Sequence, residues 1–320
     1  MHAIGVDIGG TKIAVGVVDE GGAIVAKTKR KTKPQDPASI DQAIADAVAE
    51  LSVDHEFHAV GVAAAGFVSS DQENVLFAPN IAWRDYPLAW KVRELIGRDD
   101  IAVVVENDAN AAGWAEFAFG AAADVKHMVM LTIGTGLGAA LVIDGKMVRG
   151  GFGFAAELGH LRVVPGGHPC GCGLRGCWEQ YASGSALTRE ARRAAVEREV
   201  RAAKLLELAG GNAADIAGPH VTEAAVGGDE LGIELLSELG RWIGEGAASM
   251  AAAIDPELFV IGGGVVEAGD LLLEPAREAY VENLPARGHR PIVPITAARM
   301  GNDAGIVGAA DLARIASAGR

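Results

Sequence analysis

Short apolar runs that stop at glycine-rich turns organise this chain. Ile4-Gly5-Val6-Asp7-Ile8 reads as a buried strand, Gly9-Gly10-Thr11-Lys12 as a turn, and Ile13-Ala14-Val15-Gly16-Val17-Val18 as a returning strand that stops at Asp19-Glu20-Gly21-Gly22. The pattern recurs: Met128-Val129-Met130-Leu131-Thr132-Ile133 leads into Gly134-Thr135-Gly136-Leu137-Gly138, and Ala139-Ala140-Leu141-Val142-Ile143 returns to the turn Asp144-Gly145-Lys146. Gly9 to Asp19 and Gly134 to Asp144 are both ten positions apart, so one architecture is used twice. Between the copies, Gly61-Val62-Ala63-Ala64-Ala65-Gly66 ends a further apolar strand in small residues, and the β-branched run Ile101-Ala102-Val103-Val104-Val105 is followed by Glu106-Asn107-Asp108 and the helix-prone stretch Ala109 to Phe117. Leu187 to Glu238 is rich in Ala, Glu and Leu with helical periodicity, which predicts helices broken at Gly210-Gly211 and Gly227-Gly228.

A chain of 320 residues predicts two domains of ~150 residues each. The 42 acidic and 28 basic side chains give a net charge of −14, which argues against a polyanion such as DNA as the main partner and leaves a phosphate ligand in need of local help. No apolar stretch reaches the ~18 residues of a membrane span, and the chain enters a strand with Asp7 already present, so neither span nor signal peptide is expected. The cysteine usage suits a reducing cytoplasm.

All three cysteines lie in Cys170-Gly171-Cys172-Gly173-Leu174-Arg175-Gly176-Cys177, and Glu157-Leu158-Gly159-His160 lies just before them. Three thiolates and an imidazole make the closed Cys₃His set of a structural zinc site, with glycines that let the backbone turn tightly enough to aim three sulfurs at one point. A disulfide would leave one thiol over, and a Cys-x-Cys pair closes a strained ring. Either His160 or His168 satisfies the spacing of the fourth ligand.

The two Gly- and Thr-rich turns offer backbone N–H groups and hydroxyls to phosphate oxygens, since glycine removes the Cβ that blocks close approach. One such turn is most often only a turn; a facing pair makes a nucleotide cleft, with Lys12 adding positive charge. Neither turn is a Walker P-loop, and Gly151-Phe152-Gly153-Phe154-Ala155-Ala156 lacks the strand and the acidic residue of a Rossmann fingerprint. Asp108 stands at a strand-to-helix junction, where it suits either a helix N-cap or a general base, because ligands of open α/β sheets bind beyond the carboxyl ends of strands. Gly66, Asn80, Asn107, Glu157, His160 and Glu179 each read singly as ordinary loop, surface or capping groups. Together their carboxylates, amides and imidazole can satisfy several sugar hydroxyls.

With these residues in view, the chain resembles the bacterial glucokinases of the ROK family, within the sugar kinase, actin and Hsp70 superfamily. The resemblance is carried by Asp7-Ile8-Gly9-Gly10-Thr11-Lys12, Glu106-Asn107-Asp108-Ala109-Asn110, Thr132 to Gly138, Glu157-Leu158-Gly159-His160, Cys170 to Glu179, Ile261-Gly262-Gly263-Gly264 and Gly301-Asn302-Asp303-Ala304-Gly305. It implies an α/β, two-domain, actin-like (ribonuclease H-like) ATPase fold with the active-site cleft between domains. Residues 1–112 plus 302–320 would form a small domain whose returning helix is capped by Asn302 or Asp303, and 113–301 a large domain with the zinc-binding loop.

The resemblance further implies Asp108 as the base that takes the proton of a hexose 6-hydroxyl as it attacks the γ-phosphoryl group of ATP. Glucose contacts would fall on Gly66, Asn80, Asn107, Asp108, Glu157, His160 and Glu179. ATP and Mg²⁺ would be served by Asp7, Gly9, Gly10, Thr11, Lys12, Gly134, Thr135 and Gly136, with Gly263, Gly264 and the stretch Ser183-Gly184-Ser185 toward the adenosine. Structural Zn²⁺ would be held by His160, Cys170, Cys172 and Cys177, and a homodimer or homotetramer is expected.

Rival readings are a sugar-sensing repressor, disfavoured because Asp7 comes too early for a preceding DNA-binding domain, a non-enzymatic ATP switch, which leaves the sugar-like set and the cysteines without purpose, and a kinase for fructose, mannose or an N-acetylhexosamine. Glu157 and the loop around Ala65-Gly66 and Asn80 would decide the last.

Overall fold

The computed structural model describes residues 1–197 and 199–319. Arg198, inside the predicted helical stretch from Leu187 to Glu238, and Arg320, at the end of the predicted small domain, lie outside the described residues.

β1 (Ala3–Ile8), β2 (Lys12–Val18) and β3 (Ile24–Lys31) run as an antiparallel meander. α1 (Pro37–Leu51) leads to β4 (Ala59–Ala64), which pairs parallel with β1. β5 (Phe67–Val68), β6 (Val75–Phe77) and β7 (Arg84–Tyr86) make a small antiparallel sheet, after which α2 (Leu88–Ile96) precedes β8 (Ala102–Asn107), parallel to β4, and α3 (Asp108–Phe119). The resulting sheet has the order β3-β2-β1-β4-β8.

β9 (Met128–Ile133), β10 (Leu137–Ile143) and β11 (Lys146–Met147) follow, so both predicted hairpins form. Then come α4 (Gly184–Glu197), α5 (Ala203–Leu208), α6 (Gly218–Val226), α7 (Glu230–Ile254), β12 (Leu258–Gly262), α8 (Asp270–Asn283), β13 (Ile295–Ala297) and α9 (Ala304–Ala318). The predicted breaks at Gly210-Gly211 and Gly227-Gly228 fall between helices. A second sheet has the order β11-β10-β9-β12-β13, with β12 parallel to both β9 and β13.

The chain divides into two compact units, one of residues 1–125, 140–156 and 299–320, the other of residues 126–139 and 157–298. In the first, β1, β4 and β8 are covered on both faces, which is why each reads as a continuous apolar run rather than an alternation. Ile4, Val6, Val60, Val62, Val103 and Val105 pack with Ile40 and Ile44 of α1 and Val92 of α2. On the opposite face Ala3, Ala14, Ala59, Ala102 and Val104 meet Ile306, Val307 and Ala310 of α9. That helix sits unusually close to the sheet: a Cβ added at Gly5 would lie 1.9 Å from the Ile306 carbonyl oxygen, and one at Gly61 1.9 Å from that of Ala309. Glycines in the strands therefore set where α9 docks.

Asp303 occupies the N-cap position of α9 but makes no side-chain cap bond; its carboxylate accepts from Lys27 instead. Of Asn302 and Asp303, the two residues expected to cap this helix, Asp303 takes the N-cap position, without a side-chain bond to the helix. In the second unit Trp178, almost fully buried, is seated against Gly246 of α7 and donates its indole N–H to the Trp242 carbonyl at 2.9 Å. This anchors the segment that follows the cysteine loop.

Candidate functional site

In the first unit, the parallel register brings the carboxyl ends of three strands level. Asp7 of β1, Ala63 of β4 and Glu106 of β8 are register partners, as are Ile8, Ala64 and Asn107. Polar side chains placed just there meet whatever binds at that sheet edge. Asn107 is the N-cap of α3, and its Oδ1 accepts from the Asn110 N–H at 3.0 Å. The capping role read as one possibility for Asp108 thus belongs to its neighbour. Asp108 is the first helical residue, with Oδ1 accepting from the Ala109 N–H at 2.9 Å. The Asn107 amide also donates to the Gly66 carbonyl at 3.1 Å, which brings Gly66 and Asn107 together. Asn80 is exposed on the loop between β6 and β7.

The first hairpin turn closes with Gly9 N–H donating to the Lys12 carbonyl at 2.9 Å. Thr32 clamps it from the side, its hydroxyl donating to the Gly9 carbonyl at 2.8 Å and its N–H to the Thr11 carbonyl at 3.1 Å. Gly10, Thr11 and Lys12 are left exposed. Burial pushes the Asp7 carboxyl above the usual carboxylate range, with Lys12 and Lys27 pulling the other way and Asp303 adding to the rise.

In the second unit, the other hairpin turn closes through Gly134 N–H to the Gly136 carbonyl at 3.0 Å. The first residues of α4 dock on it: Gly184 N–H donates to the Gly134 carbonyl at 2.8 Å and Ser185 N–H to that of Thr135 at 3.3 Å. A Cβ at Gly136 would stand 2.9 Å from Glu179 Oε2, and one at Gly263, which has φ +87°, only 2.3 Å from the Ile133 carbonyl. Thus Gly134, Thr135, Gly136, Gly263, Ser185 and Glu179 are drawn to one region, although they are far apart in sequence.

Glu157 caps a single 3₁₀ turn, Leu158 to His160, and its Oε2 lies 4.0 Å from His160 Nε2. Burial raises the Glu157 carboxyl above its ordinary range, opposed by His160 and reinforced by Glu179. The other ring nitrogen of His160 turns to the cysteines. One ligand atom from each of His160, Cys170, Cys172 and Cys177 lies within 4.8 Å of all the others, and these four residues could hold a metal ion. His160 Nδ1 is 3.7 Å from Cys170 Sγ, and Cys172 Sγ is 3.6 Å from Cys177 Sγ. A tetrahedral site with sulfur bonds of ~2.3 Å needs ligand separations of ~3.6–3.8 Å, which these two distances match.

Of the two histidines whose spacing fits, His160, the one the family resemblance implies, is the one whose ring lies beside the sulfurs. His168 instead packs its ring on Tyr181 at 5.4 Å and donates its backbone N–H to the Tyr181 hydroxyl at 3.0 Å. Burial pushes the Cys170 and Cys177 thiols up. Against the cost of burial, the Leu174 N–H and the two neighbouring sulfurs hold Cys172 below its ordinary value. Cys170 Sγ also donates to Glu179 Oε1 at 2.9 Å, so Glu179 belongs both to this cluster and to the glycine turn.

Glu106 lies within a motif of the sequence but takes no role from it, and Arg149 is not singled out by the sequence. Glu106 is 2 % exposed and accepts from Arg149 Nε at 2.7 Å. The available signal was a carboxylate ending an otherwise β-branched strand, a position that demands partners; which residue answers it is a matter of the fold.

This is an α/β protein with a paired glycine-hairpin architecture, carboxylate and amide groups at a strand edge, and a Cys₃His cluster. The chain belongs to the ROK family, whose model matches residues 3–316. It is 50% identical over 311 residues to a protein of Streptomyces coelicolor named glucokinase, covering 97% of each chain. A crystal structure of a ROK family glucokinase from Streptomyces griseus, in complex with glucose and AMPPNP, superposes with TM-score 0.88 at 49% identity, covering 98% of this chain and 100% of that one. The ROK hexokinase from Thermus thermophilus matches with TM-score 0.81 at 33% identity over the full length of both.

Proposed function

We propose that this protein is a glucokinase, transferring the γ-phosphoryl group of ATP to the 6-hydroxyl of D-glucose. The observation that carries the reading is the identity of 50% with the Streptomyces coelicolor glucokinase over 97% of both chains. The Streptomyces griseus relative, which holds glucose and a non-hydrolysable ATP analogue, supports both substrates. The local geometry is compatible: Asn107 is the N-cap of α3, and Asp108 follows it as the first helical residue at the strand end.

In this reading Asp108 accepts the proton of the 6-hydroxyl, and Gly66, Asn80, Asn107, Glu157, His160 and Glu179 contact the sugar. Phosphoryl transfer asks chiefly for alignment and charge neutralisation. Gly9, Gly10, Thr11, Lys12, Gly134, Thr135 and Gly136 serve the phosphates through backbone N–H groups, hydroxyls and the Lys12 ammonium. Gly263 and Gly264 serve the nucleoside side. Mg²⁺ bound with ATP would supply further positive charge, with Asp7 as its outer carboxylate partner. His160, Cys170, Cys172 and Cys177 hold structural Zn²⁺, which their thiolate and imidazole chemistry favours. With Nδ1 turned to the sulfurs, Nε2 of His160 is left on the side of Glu157, where a sugar hydroxyl would be met.

A kinase of broader hexose range is the second reading, favoured by the Thermus thermophilus relative, which bears the wider name hexokinase. The test is ADP release by the purified protein with Mg-ATP against glucose, mannose, fructose and N-acetylmannosamine. Highest kcat/KM with glucose is expected. Equal or better turnover of another sugar moves the substrate assignment, and no turnover on any of them overturns the kinase reading.

A further inference from the structure

Glu106 is a buried carboxylate whose acceptor sites are taken entirely by the protein. Its Oε1 accepts from the Asn107 N–H at 3.0 Å and from Asn110 Nδ2 at 3.0 Å. Its Oε2 accepts from Arg149 Nε at 2.7 Å and from Gln72 Nε2 at 3.1 Å. The donors come from the end of β8, from α3, from the segment after β11 and from the loop between β5 and β6, all inside the first compact unit. Only a carboxylate can accept from all four, because an amide of the same shape turns a donor toward one of the two pairs.

The two bonds to Oε1 bracket Asp108. One fixes the backbone of the residue before it, the other the side chain of the residue two beyond. Asn107 closes the ring, accepting from the Asn110 N–H at 3.0 Å and donating to the Gly66 carbonyl at 3.1 Å. The Oε2 side is equally built. Gln72 is held at φ +62°, a left-handed conformation that a residue with a side chain resists, and its carbonyl accepts from the Val105 N–H at 2.8 Å. Arg149 brings the positive charge that the buried carboxylate requires. It also ties in the glycine-rich segment that ends at Glu157, whose Phe154 packs edge-on against Phe67 of β5 at 5.2 Å.

We infer that Glu106, neutralised by Arg149, is a positioning residue that fixes Asn107 and Asp108 at the strand end. The inference rests on the kinase reading, in which those two residues meet the sugar. With both carboxylate oxygens engaged by protein donors, Glu106 acts through the first turn of α3.

The test compares Glu106→Gln, Arg149→Lys and Arg149→Met with the parent enzyme in steady-state kinetics, glucose calorimetry and thermal melts, with Asp108→Asn alongside. Misplacing a reacting group by about 1 Å costs up to ~10²-fold, so Glu106→Gln should lower kcat at least tenfold while KM for ATP stays within about twofold and glucose Kd within about fivefold. Arg149→Met should lower kcat further than Arg149→Lys, which keeps the charge and one donor. A folded Glu106→Gln enzyme with kcat within about twofold of the parent overturns the inference, since loss of a general base is worth ~10² to 10⁴ and its displacement cannot be silent. If Glu106→Gln does not fold, the Arg149 pair decides: graded kcat loss supports the role, and parental kcat in both contradicts it. Asp108→Asn separates the two levels. An inactive Asp108→Asn with a fully active Glu106→Gln removes only the positioning role, whereas an active Asp108→Asn removes the base assignment beneath it.

Discussion

Gly305, in the first turn of α9, stands against the carboxylate of Asp7 at the end of β1: a Cβ added at Gly305 would lie 3.0 Å from Asp7 Cγ and 3.1 Å from its Oδ2. The sheet glycines that let α9 approach therefore also decide what faces Asp7. Gly305→Ala would gain helix propensity worth about 1 kcal/mol, but only by displacing the carboxylate. Stability is expected to change by no more than about that amount, while KM for Mg-ATP rises severalfold and glucose affinity is retained. Unchanged nucleotide kinetics would show that Asp7 does not serve the phosphates.

The burial that raises the Asp7 carboxyl above its ordinary value near 3.8 has a consequence for stability. The folded state holds this proton more tightly than the unfolded chain, so the protein loses stability as pH rises from the unfolded value through the raised one, and the full cost is present above it. Asp7→Asn removes that cost. Its Tm relative to the parent should be lowest at acid pH, near the unfolded carboxyl's 3.8, and improve as pH rises above it. A difference that does not vary with pH would contradict the role of burial.

Metal removal tests the Cys₃His assignment. The purified protein should carry one zinc ion per chain, and stripping it with a strong chelator should lower Tm steeply, since such sites contribute ~10 kcal/mol or more to folding. Cobalt substitution should give the visible absorption of a tetrahedral thiolate site. Cys177, with no exposed surface, offers a second check, because Cys177→Ser should reproduce the chelated Tm. A metal-free protein with parental Tm would rule the site out.

The fold is also spliced at Glu116, which is fully buried in α3. Its Oε1 accepts from the Arg299 and Met300 N–H groups at 2.7 and 2.6 Å, and its Oε2 from the Ala121 N–H at 2.9 Å. Glu116→Ala strands three donors, which should cost roughly 3–5 kcal/mol in urea unfolding. The kcat of the remaining folded enzyme should be unchanged. A loss below about 1 kcal/mol would mean that water replaces the carboxylate.

What the sequence made legible was local. The hairpins around Gly9–Lys12 and Gly134–Gly136 follow from apolar runs that end in glycine, and the cysteine cluster follows from spacing alone. β3 was not legible, because its Lys27, Lys29, Arg30 and Lys31 give an edge strand the composition of a solvated loop. Spacing alone did not separate His160 from His168, since both lie near the cysteines in sequence; the family resemblance pointed to His160, and the path of the loop sends its ring to the sulfurs and that of His168 onto Tyr181. Asn107 and Asp108 are equally good caps, so a one-residue phase at the start of α3 decided their roles. The partnership of Glu106 with Gln72 and Arg149 joins segments 34 and 43 residues away, a distance that no local pattern encodes.

The most direct measurement is kcat of Asp108→Asn with glucose and Mg-ATP, taken together with glucose affinity by calorimetry. A general base is worth ~10² to 10⁴ in rate, so kcat is expected at least about 10²-fold below the parent, with glucose Kd changed only a few-fold. Turnover within tenfold of the parent, with the protein folded and glucose bound, would contradict it.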